Sequence, residues 1–338
     1  MKKFTLLFIM LIGLSAVSFG QVNKKAQVGF RFLENPVSAE VVGRGMVGIV
    51  NTYNSEGIFW NPALLGFMDN SADIAFNHTR GIADINYNAV SAAYKVGDFG
   101  IVGASLLSMD YGTFYQTRRA ANEVGYIETG EFSPVGLGVG ISFSQRITNN
   151  FSYGVNLKYV YQDLGEAWIS TSGNDLNDSA LVIEAKDYTQ GTIAADVGAL
   201  YDFDYMGIKF GAVIHNISKE LRFEQQNFPL PFSVSFGATV EPLLFLYDRS
   251  DVHQFVLSFE SKHPRDFGEK LKVGGEYSFA RMLFLRAGYS TGYDERGWSV
   301  GAGVNYTYQN IPLRISYALQ PYGLFGNVHF LSIGISYL

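Results

Sequence analysis

The stretch "SPVGLGVGISFSQRI", residues 133–147, sorts its side chains by odd and even position. Val135, Leu137, Val139, Ile141 and Phe143 share one parity, and Gly136, Gly138, Gly140, Ser142 and Ser144 share the other. Successive side chains of a β-strand point to opposite faces, so this reads as a strand with one bulky apolar face and one face of tiny or polar groups. Helical spacing would scatter the same residues around an axis. Glycines at a period of two also differ from a phosphate-cradling loop, which needs them at a strand-to-helix turn.

Working outward, the pattern recurs. "FSYGVNLKYVYQ" sets Phe151, Tyr153, Val155, Leu157, Tyr159 and Tyr161 against Ser152, Gly154, Asn156, Lys158 and Gln162. "LKVGGEYSF", residues 271–279, "GWSVGAGVNYTYQ", residues 297–309, and "VHFLSIGISYL", residues 328–338, behave alike. Read this way, the chain after residue 70 carries about fourteen strands: 71–78, 85–96, 98–110, 132–147, 149–163, 189–203, 206–216, 231–242, 252–261, 269–279, 281–292, 297–309, 311–320 and 327–338. Turns after the second, fourth, sixth, tenth and twelfth strands are short ("GD", "ITNN", "DYM", "ARM", "QN"), and "EPLLFLYDRSDVH" after the eighth is the exception. Connections after odd strands are mostly longer and polar. Short turns on one rim, long loops on the other and an even strand number describe an all-β, antiparallel up-and-down transmembrane barrel of the bacterial outer membrane. A soluble sandwich or propeller would turn a bulky face inward and a polar face outward, and no blade-like repeat is visible.

The start of the chain fits export. "MKKFTLLFIMLIGLSAVSFGQ" has a basic opening, an apolar run from Phe4 to Leu14 and a small-residue cleavage pattern at Ser18-Phe19-Gly20, so residues 1–20 read as a signal peptide. The chain holds 27 Phe, 21 Tyr and 37 Gly, and no cysteine, so neither disulfides nor thiolate metal sites contribute. Its formal charge of −6, more negative once Lys2 and Lys3 are removed, argues against nucleic acid as a partner.

A barrel this wide cannot fill its lumen with its own side chains. Residues 21–70 are the only unassigned material, and within them "GRGMVGIVNTYNSEGIFWNPALLGF", Gly43–Phe67, fits neither a clean strand nor an amphipathic helix. Glycine-rich backbone can approach a glycine-lined wall closely, so the segment is expected to fold back inside the barrel 71–338 as a hatch or plug.

This run resembles the N-terminal pattern of the PorV/PorQ family, relatives of the FadL-type transporters, at Arg44-Gly45-Met46, Gly48 and Asn61-Pro62-Ala63-Leu64. Val47 and Ile49-Val50 stand where the pattern has small residues. The likeness continues through residues 78–112, "FLRAGYS" and "GNVHFLSIGISYL". It implies a FadL-like barrel with an N-terminal plug in which Arg44, Gly45, Gly48, Trp60, Asn61 and Pro62 are the hatch residues. It also implies a part in type IX secretion, binding or shuttling exported proteins. The alternative is a FadL-like channel for uptake of hydrophobic small molecules. Expected partners are outer-membrane lipid, the barrel-insertion machinery during biogenesis, and secretion-system components or secreted proteins.

Chemistry is sparse. His78, His215, His253, His263 and His329 are scattered without ligand spacing, and the acidic run around Asp175, Asp178, Glu184 and Asp187 matches no calcium loop. No serine is set apart as a nucleophile, so neither an enzyme, a metal nor a cofactor is expected. "LRFEQQNFPLPF", with Leu221, Phe223 and Phe228, is an apolar loop expected to face a partner or fold over the lumen.

Overall fold

The computed structural model describes residues 27–119, 122–170, 183–223, 225–247, 250, 252–309 and 311–337. The expected signal peptide, residues 21–26 of the expected hatch, and Asp175 and Asp178 of the acidic run lie outside them.

After a leading segment that contains the single-turn helix α1 (Ala39–Gly43), the chain forms β1 (Ala72–Arg80), β2 (Asn86–Val96) and β3 (Gly100–Asp110). There follow β4 (Phe114–Arg119), β5 (Tyr126–Phe132), β6 (Val135–Thr148), β7 (Phe151–Ser170), β8 (Ile183–Asp202) and β9 (Lys209–Ser218). Next come β10 (Leu221–Phe223), β11 (Gln226–Phe228), β12 (Ser233–Val240), β13 (His253–Pro264) and β14 (Lys270–Phe279). The chain ends in β15 (Leu283–Ser290), β16 (Trp298–Tyr308), β17 (Ile311–Pro321) and β18 (Asn327–Tyr337). Fourteen of these strands close into one antiparallel barrel, while β4–β5 and β10–β11 form two separate hairpins. Closure is made by β1 on β18, in register from Ala72↔Tyr337 to Arg80↔His329. Lipid offers no hydrogen-bonding partner to backbone groups, so a sheet crosses it only when every strand has two neighbours.

The parity read from sequence maps onto the two faces of the wall. Along β6, Val139 and Ile141 are exposed while Gly136, Gly138, Gly140, Ser142 and Ser144 are buried. Along β18, Leu331, Ile333, Ile335 and Tyr337 face out and Ser332, Gly334 and Ser336 face in. Ile141 is 65% exposed, Leu285 62% and Ile193 61%, levels that only a hydrocarbon solvent makes favourable around a whole circumference. Aromatic pairs ring the short-turn rim, with centroid separations of 5.1 Å for Phe99–Phe143 and 4.9 Å for Tyr201–Phe203. Two histidines belong to this exterior: His253 Nδ1 lies 2.7 Å from the Tyr277 hydroxyl and His329 Nδ1 2.6 Å from that of Tyr317.

The structure adds features that alternation did not announce. β7 and β8 run for 20 residues each, beyond the 9–11 that a tilted strand needs to span, and pair again above a bulge at Asp163–Glu166 where Gly165 has φ 87°. The hairpins β4–β5 and β10–β11 rise from the same long-loop rim. Above that rim no lipid face is needed, and the parity signal fades with it.

Ile141 sits near the middle of an outward-facing row. Ile141→Lys should destabilise the barrel by about 2–4 kcal/mol, the cost of a lysine near the bilayer midplane, measured by denaturant unfolding from lipid vesicles. Unchanged stability would mean that this row does not face lipid.

Candidate functional site

Residues 27–70 run from the long-loop rim to the short-turn rim along the inner face of the wall. Their local structure is a set of single turns: 3-10 turns at Arg31–Glu34, Ser55–Phe59 and Pro62–Phe67, and α1. Asn54 caps the second by accepting from Glu56 N at 2.9 Å, and Asn61 caps the third by accepting from Ala63 N at 3.1 Å with Pro62 in the first helical position. Turns this short do not persist alone in water, so the wall holds them.

It does so around the entire circumference. Ala39 N donates to Ser332 Oγ on β18 at 2.8 Å, and Gly45 N to Ser299 Oγ on β16 at 3.2 Å. Lys272 Nζ on β14 donates to Met46 O at 3.0 Å, and Gly48 N donates to Glu260 Oε2 on β13 at 3.1 Å. Asn61 Nδ2 donates to Ala199 O on β8 at 3.2 Å, and Ser152 Oγ on β7 to Ala63 O at 2.7 Å. Ser55 N reaches Asp73 on β1 at 2.9 Å, and Ser55 Oγ lies 2.9 Å from Ser91 Oγ on β2.

Between these bonds the wall is glycine. Gly274 and Gly288 lie under Arg44 and Gly45, Gly301 under Gly43, Gly211 and Gly237 under Ile49, Gly198 under Asn61, Gly154 under Pro62, and Gly103 under Ile58. A β-carbon at Gly211 would come 2.7 Å from Ile49 O, closer than real β-carbons approach backbone. Val47, Ile49 and Val50, the bulky departures from the family pattern, are fully buried and pack on Leu200 and Val213 of the wall. Side chains missing from the strands are thus replaced by side chains of the leading segment.

Each hatch residue named from sequence has a place. Arg44 is 1% exposed; its Nη1 donates to Glu40 Oε1 at 3.0 Å and Glu276 Oε2 at 2.9 Å, and its Nη2 to Thr52 Oγ1 at 3.0 Å. Glu276 also accepts from Arg286 Nε at 2.6 Å, so the ion pair between segment and wall is a four-membered network. Gly45 has φ +68° and no room for a side chain between Val273 O and Tyr289 N. Gly48 is the seat of the Trp60 ring. Leu221 is buried, and Phe228 is half-buried, its ring 6.4 Å from that of Phe30. This loop therefore turns onto the leading segment rather than presenting Leu221 and Phe228 outward; the Phe223 side chain lies outside the described residues. Sequence reasoning missed the wall partners Glu260, Lys272, Glu276, Arg286, Arg314 and Asp73, although all sit on the inward parity where a charge has no place unless paired.

Behind the segment lies a cavity of about 90 Å³, room for several waters. Leu33, Val37, Ile58, Phe59, Trp60 and Leu107 supply its apolar lining. The lining also carries the pairs Lys158–Asp196 (2.8 Å), Lys262–Glu34 (2.9 Å) and Lys272–Glu260 (2.5 Å). His215 joins Asp196 at 3.5 Å beside a bulge between β8 and β9. At the long-loop end Glu34 also meets Arg31 at 2.7 Å. Burial alone would raise the Glu34 pKa, but Lys262, Arg31 and Lys270 outweigh it and hold the carboxyl at about 2.

No family model matches the chain, and no curated protein matches it. Solved structures do. The Ralstonia pickettii toluene transporter TbuX aligns with 13% identity over 87% of this chain and 96% of its own, with a TM-score of 0.57. A Pseudomonas aeruginosa FadL homologue aligns with 13% identity over 90% and 98%, TM-score 0.56. The Pseudomonas putida toluene transporter TodX aligns with 14% identity over 88% and 96%, TM-score 0.55. The fold is that of the FadL-like barrels. With its lipid-facing exterior, this FadL-like chain is a bacterial outer-membrane protein.

Two outcomes follow. Gly288→Val places methyl groups where the Arg44–Gly45 backbone lies; it should cost about 1–3 kcal/mol and speed amide hydrogen exchange at residues 44–50 selectively, with β6 amides unchanged. Unaltered exchange there would refute the close seat. Glu34, whose folded pKa lies below its ordinary 4.5, adds stability above about pH 4.5 that is lost as pH falls through about 2. The loss should be on the order of 3 kcal/mol and absent in Glu34→Gln, read from unfolding curves at stepped pH.

Proposed function

We propose that this protein is a conduit for small apolar or amphipathic molecules across the outer membrane, with residues 21–70 as its hatch and residues 71–338 as its wall. One observation carries the reading: Leu33, Val37, Phe59, Trp60 and Leu107 contribute apolar lining to the cavity between the leading segment and the wall, beside its buried ion pairs. Neighbours in fold support it, since TbuX and TodX are described as toluene transporters and a third as a FadL homologue. Hollows open at both ends of the lumen. One at the long-loop rim is lined by Gln27–Arg31, Glu220, Phe228 and Arg265, and one at the short-turn rim by Asn70, Arg281, Asn305 and Arg314. Outer-membrane lipid, and the insertion machinery during assembly, are the partners this reading requires.

The second reading is the PorV/PorQ one, a secretion-related component that binds or shuttles exported proteins. The β4–β5 hairpin favours it, because Phe114, Tyr115, Val124, Tyr126 and Ile127 are exposed above the long-loop rim beside Glu123, Glu128 and Glu131. Against it, the residues that carry the family resemblance, Arg44, Gly45, Gly48, Asn61 and Pro62, all anchor segment to wall, so they speak for a fold and not for a partner.

Radiolabelled toluene uptake into vesicles bearing the full chain decides the first reading. Uptake should exceed that of protein-free vesicles, and Leu107→Trp, which fills the cavity from β3, should lower it about tenfold, a change of roughly 1.4 kcal/mol. Uptake equal to the protein-free control, with an exported protein recovered on the hairpin by cross-linking in native membrane, would replace the first reading with the second.

A further inference from the structure

Buried charge between the leading segment and its seat does not balance. Arg44 bridges Glu40 at 3.0 Å and Glu276 at 2.9 Å, and Glu276 also meets Arg286 at 2.6 Å. Further round the lumen, Arg314 on β17 holds Asp73 on β1 at 3.0 Å and reaches Glu56 at 3.8 Å. Three guanidiniums therefore face four carboxylates, those of Glu40, Glu276, Asp73 and Glu56.

The surplus falls on Glu56. Asp73 accepts from both terminal nitrogens of Arg314, from Ser55 N at 2.9 Å and from Ser336 Oγ at 2.7 Å, so each of its oxygens is engaged as that of an ion. Glu40 and Glu276 each accept from an arginine. Glu56 is 1% exposed; its Oε1 has no hydrogen-bond partner among the described residues, and Arg314 stands beyond hydrogen-bond reach of its Oε2. Ser38 faces this carboxyl, and its buried Oγ is likewise without a partner. A carboxylate ion short of partners is costly to bury. A proton on Oε1 removes the surplus charge and makes that atom a donor, with Ser38 Oγ as the acceptor at hand.

Glu56 belongs to the turn Ser55–Phe59, whose Ile58 and Phe59 line the cavity. Strands β2 and β3 present Ser91, Ala93, Ile101 and Gly103 to this turn, and the next turn, Pro62–Phe67, has no titratable side chain. The charged groups that face Glu56 are thus Arg314, Glu40 and Asp73. Burial, reinforced by Glu40 and Asp73, holds its pKa above the ordinary 4.5 against the pull of Arg314. A hollow of about 430 Å³ at the short-turn rim is lined by Arg314 and Ser336, the two wall side chains that share Asp73. Protons from that side reach Glu56 past the Arg314 guanidinium.

We infer that Glu56 is a proton-binding site, occupied when the leading segment is seated, that couples the seating of the Ser55–Phe59 turn to pH on the short-turn side. The site goes beyond the conduit reading and holds whatever the barrel carries. Linkage gives its sign: the seated turn keeps a proton that the released turn gives up above about pH 4.5, so seating weakens as pH rises from there until Glu56 ionises in place. Glu34 works the opposite way, since its contribution is lost as pH falls.

Hydrogen exchange at the amides of residues 55–60, corrected for the intrinsic rate at each pH, tests this on the full chain in detergent between about pH 5 and 9. Protection should fall about tenfold per pH unit over the window in which one proton separates the seated and released states. Glu56→Gln, neutral at every pH, should flatten that slope and match or exceed wild-type protection at the alkaline end, with β6 amides alike in both proteins. An infrared spectrum at about pH 6, where exposed carboxyls are ionised, should show a protonated-carboxyl band, a readout that requires no variant to fold. Absence of that band, or a pH slope that persists in Glu56→Gln, would overturn the proton site. Weaker protection in Glu56→Gln than in wild type at about pH 8 would overturn it too, by making Glu56 an ordinary ion-pair partner of Arg314. Protection that follows sodium or calcium concentration in place of pH would assign the surplus charge to a bound metal ion instead.

Discussion

Everything in this molecule depends on the fact that hydrocarbon cannot hydrogen-bond to a peptide group. Each unpaired N–H or C=O in lipid costs several kcal/mol, so the fourteen barrel strands close from β1 to β18 without an edge. Closure fixes two faces of opposite chemistry on every strand. The outer face must be apolar, and the inner face of so wide a ring cannot be filled by residues that are also short enough to leave a lumen. Here the inner face is left small, with serines and glycines on the inward parity, and the chain's own leading segment occupies the space.

That solution turns the lumen into a protein core of a particular kind. Apolar packing is supplied by the segment, through Val47, Ile49, Val50, Ile58, Leu64 and Leu65, against the glycines, Ala93, Ile101, Leu200 and Val213 of the wall. Orientation is supplied by charge. Arg44 meets Glu276, Gly48 N meets Glu260, and Ser55 N meets an Asp73 that Arg314 also binds at 3.0 Å. Hydrophobic contact is indifferent to rotation of the segment about the barrel axis, whereas a carboxylate at one point of the wall is not. The ion pairs act as pegs, and the glycines allow backbone to come near enough to reach them.

The wall was legible in the sequence because lipid imposes a strict rule on each strand. Ten residues of strict alternation, as at Val135–Ser144, mark a strand with one apolar face, and the expected spans meet the observed strands closely. Where the rule lapses, so did the reading: the extensions of β7 and β8 and the hairpins β4–β5 and β10–β11 stand above the rim, free of any lipid-facing requirement. The interior was legible only in part. Glycines on the inward parity announce that something approaches, and Arg44, Gly45, Gly48 and Asn61 stand out as the approaching residues. Which strand each one meets depends on how the segment winds around the lumen, and no local pattern records that path. Glu260 and Glu276 look from sequence like any polar residue on a strand; only the closed barrel brings them opposite Gly48 and Arg44.

The distribution of pegs also limits how the proposed hatch can move. Withdrawing Arg44 removes the ion-pair partner of Glu40 and leaves Glu276 to Arg286 alone in a buried site, a change on the order of 3–5 kcal/mol, and the Gly45, Gly48, Asn61 and Ser55 bonds would be lost with it. Expulsion of the whole segment is therefore far costlier than thermal fluctuation supplies. The stretch from Arg31 to Val37 is held differently: its charged anchors, Arg31–Asp266 and Glu34–Lys262, sit at the long-loop end, where Arg31 is partly exposed and water can replace a broken partner. The same stretch supplies Leu33 and Val37 to the cavity. On the conduit reading, local displacement of this upper turn, with the Arg44 network fixed as its pivot, would expose the cavity to the long-loop rim while the lower belt stays seated, and would admit a molecule without making the barrel an open pore.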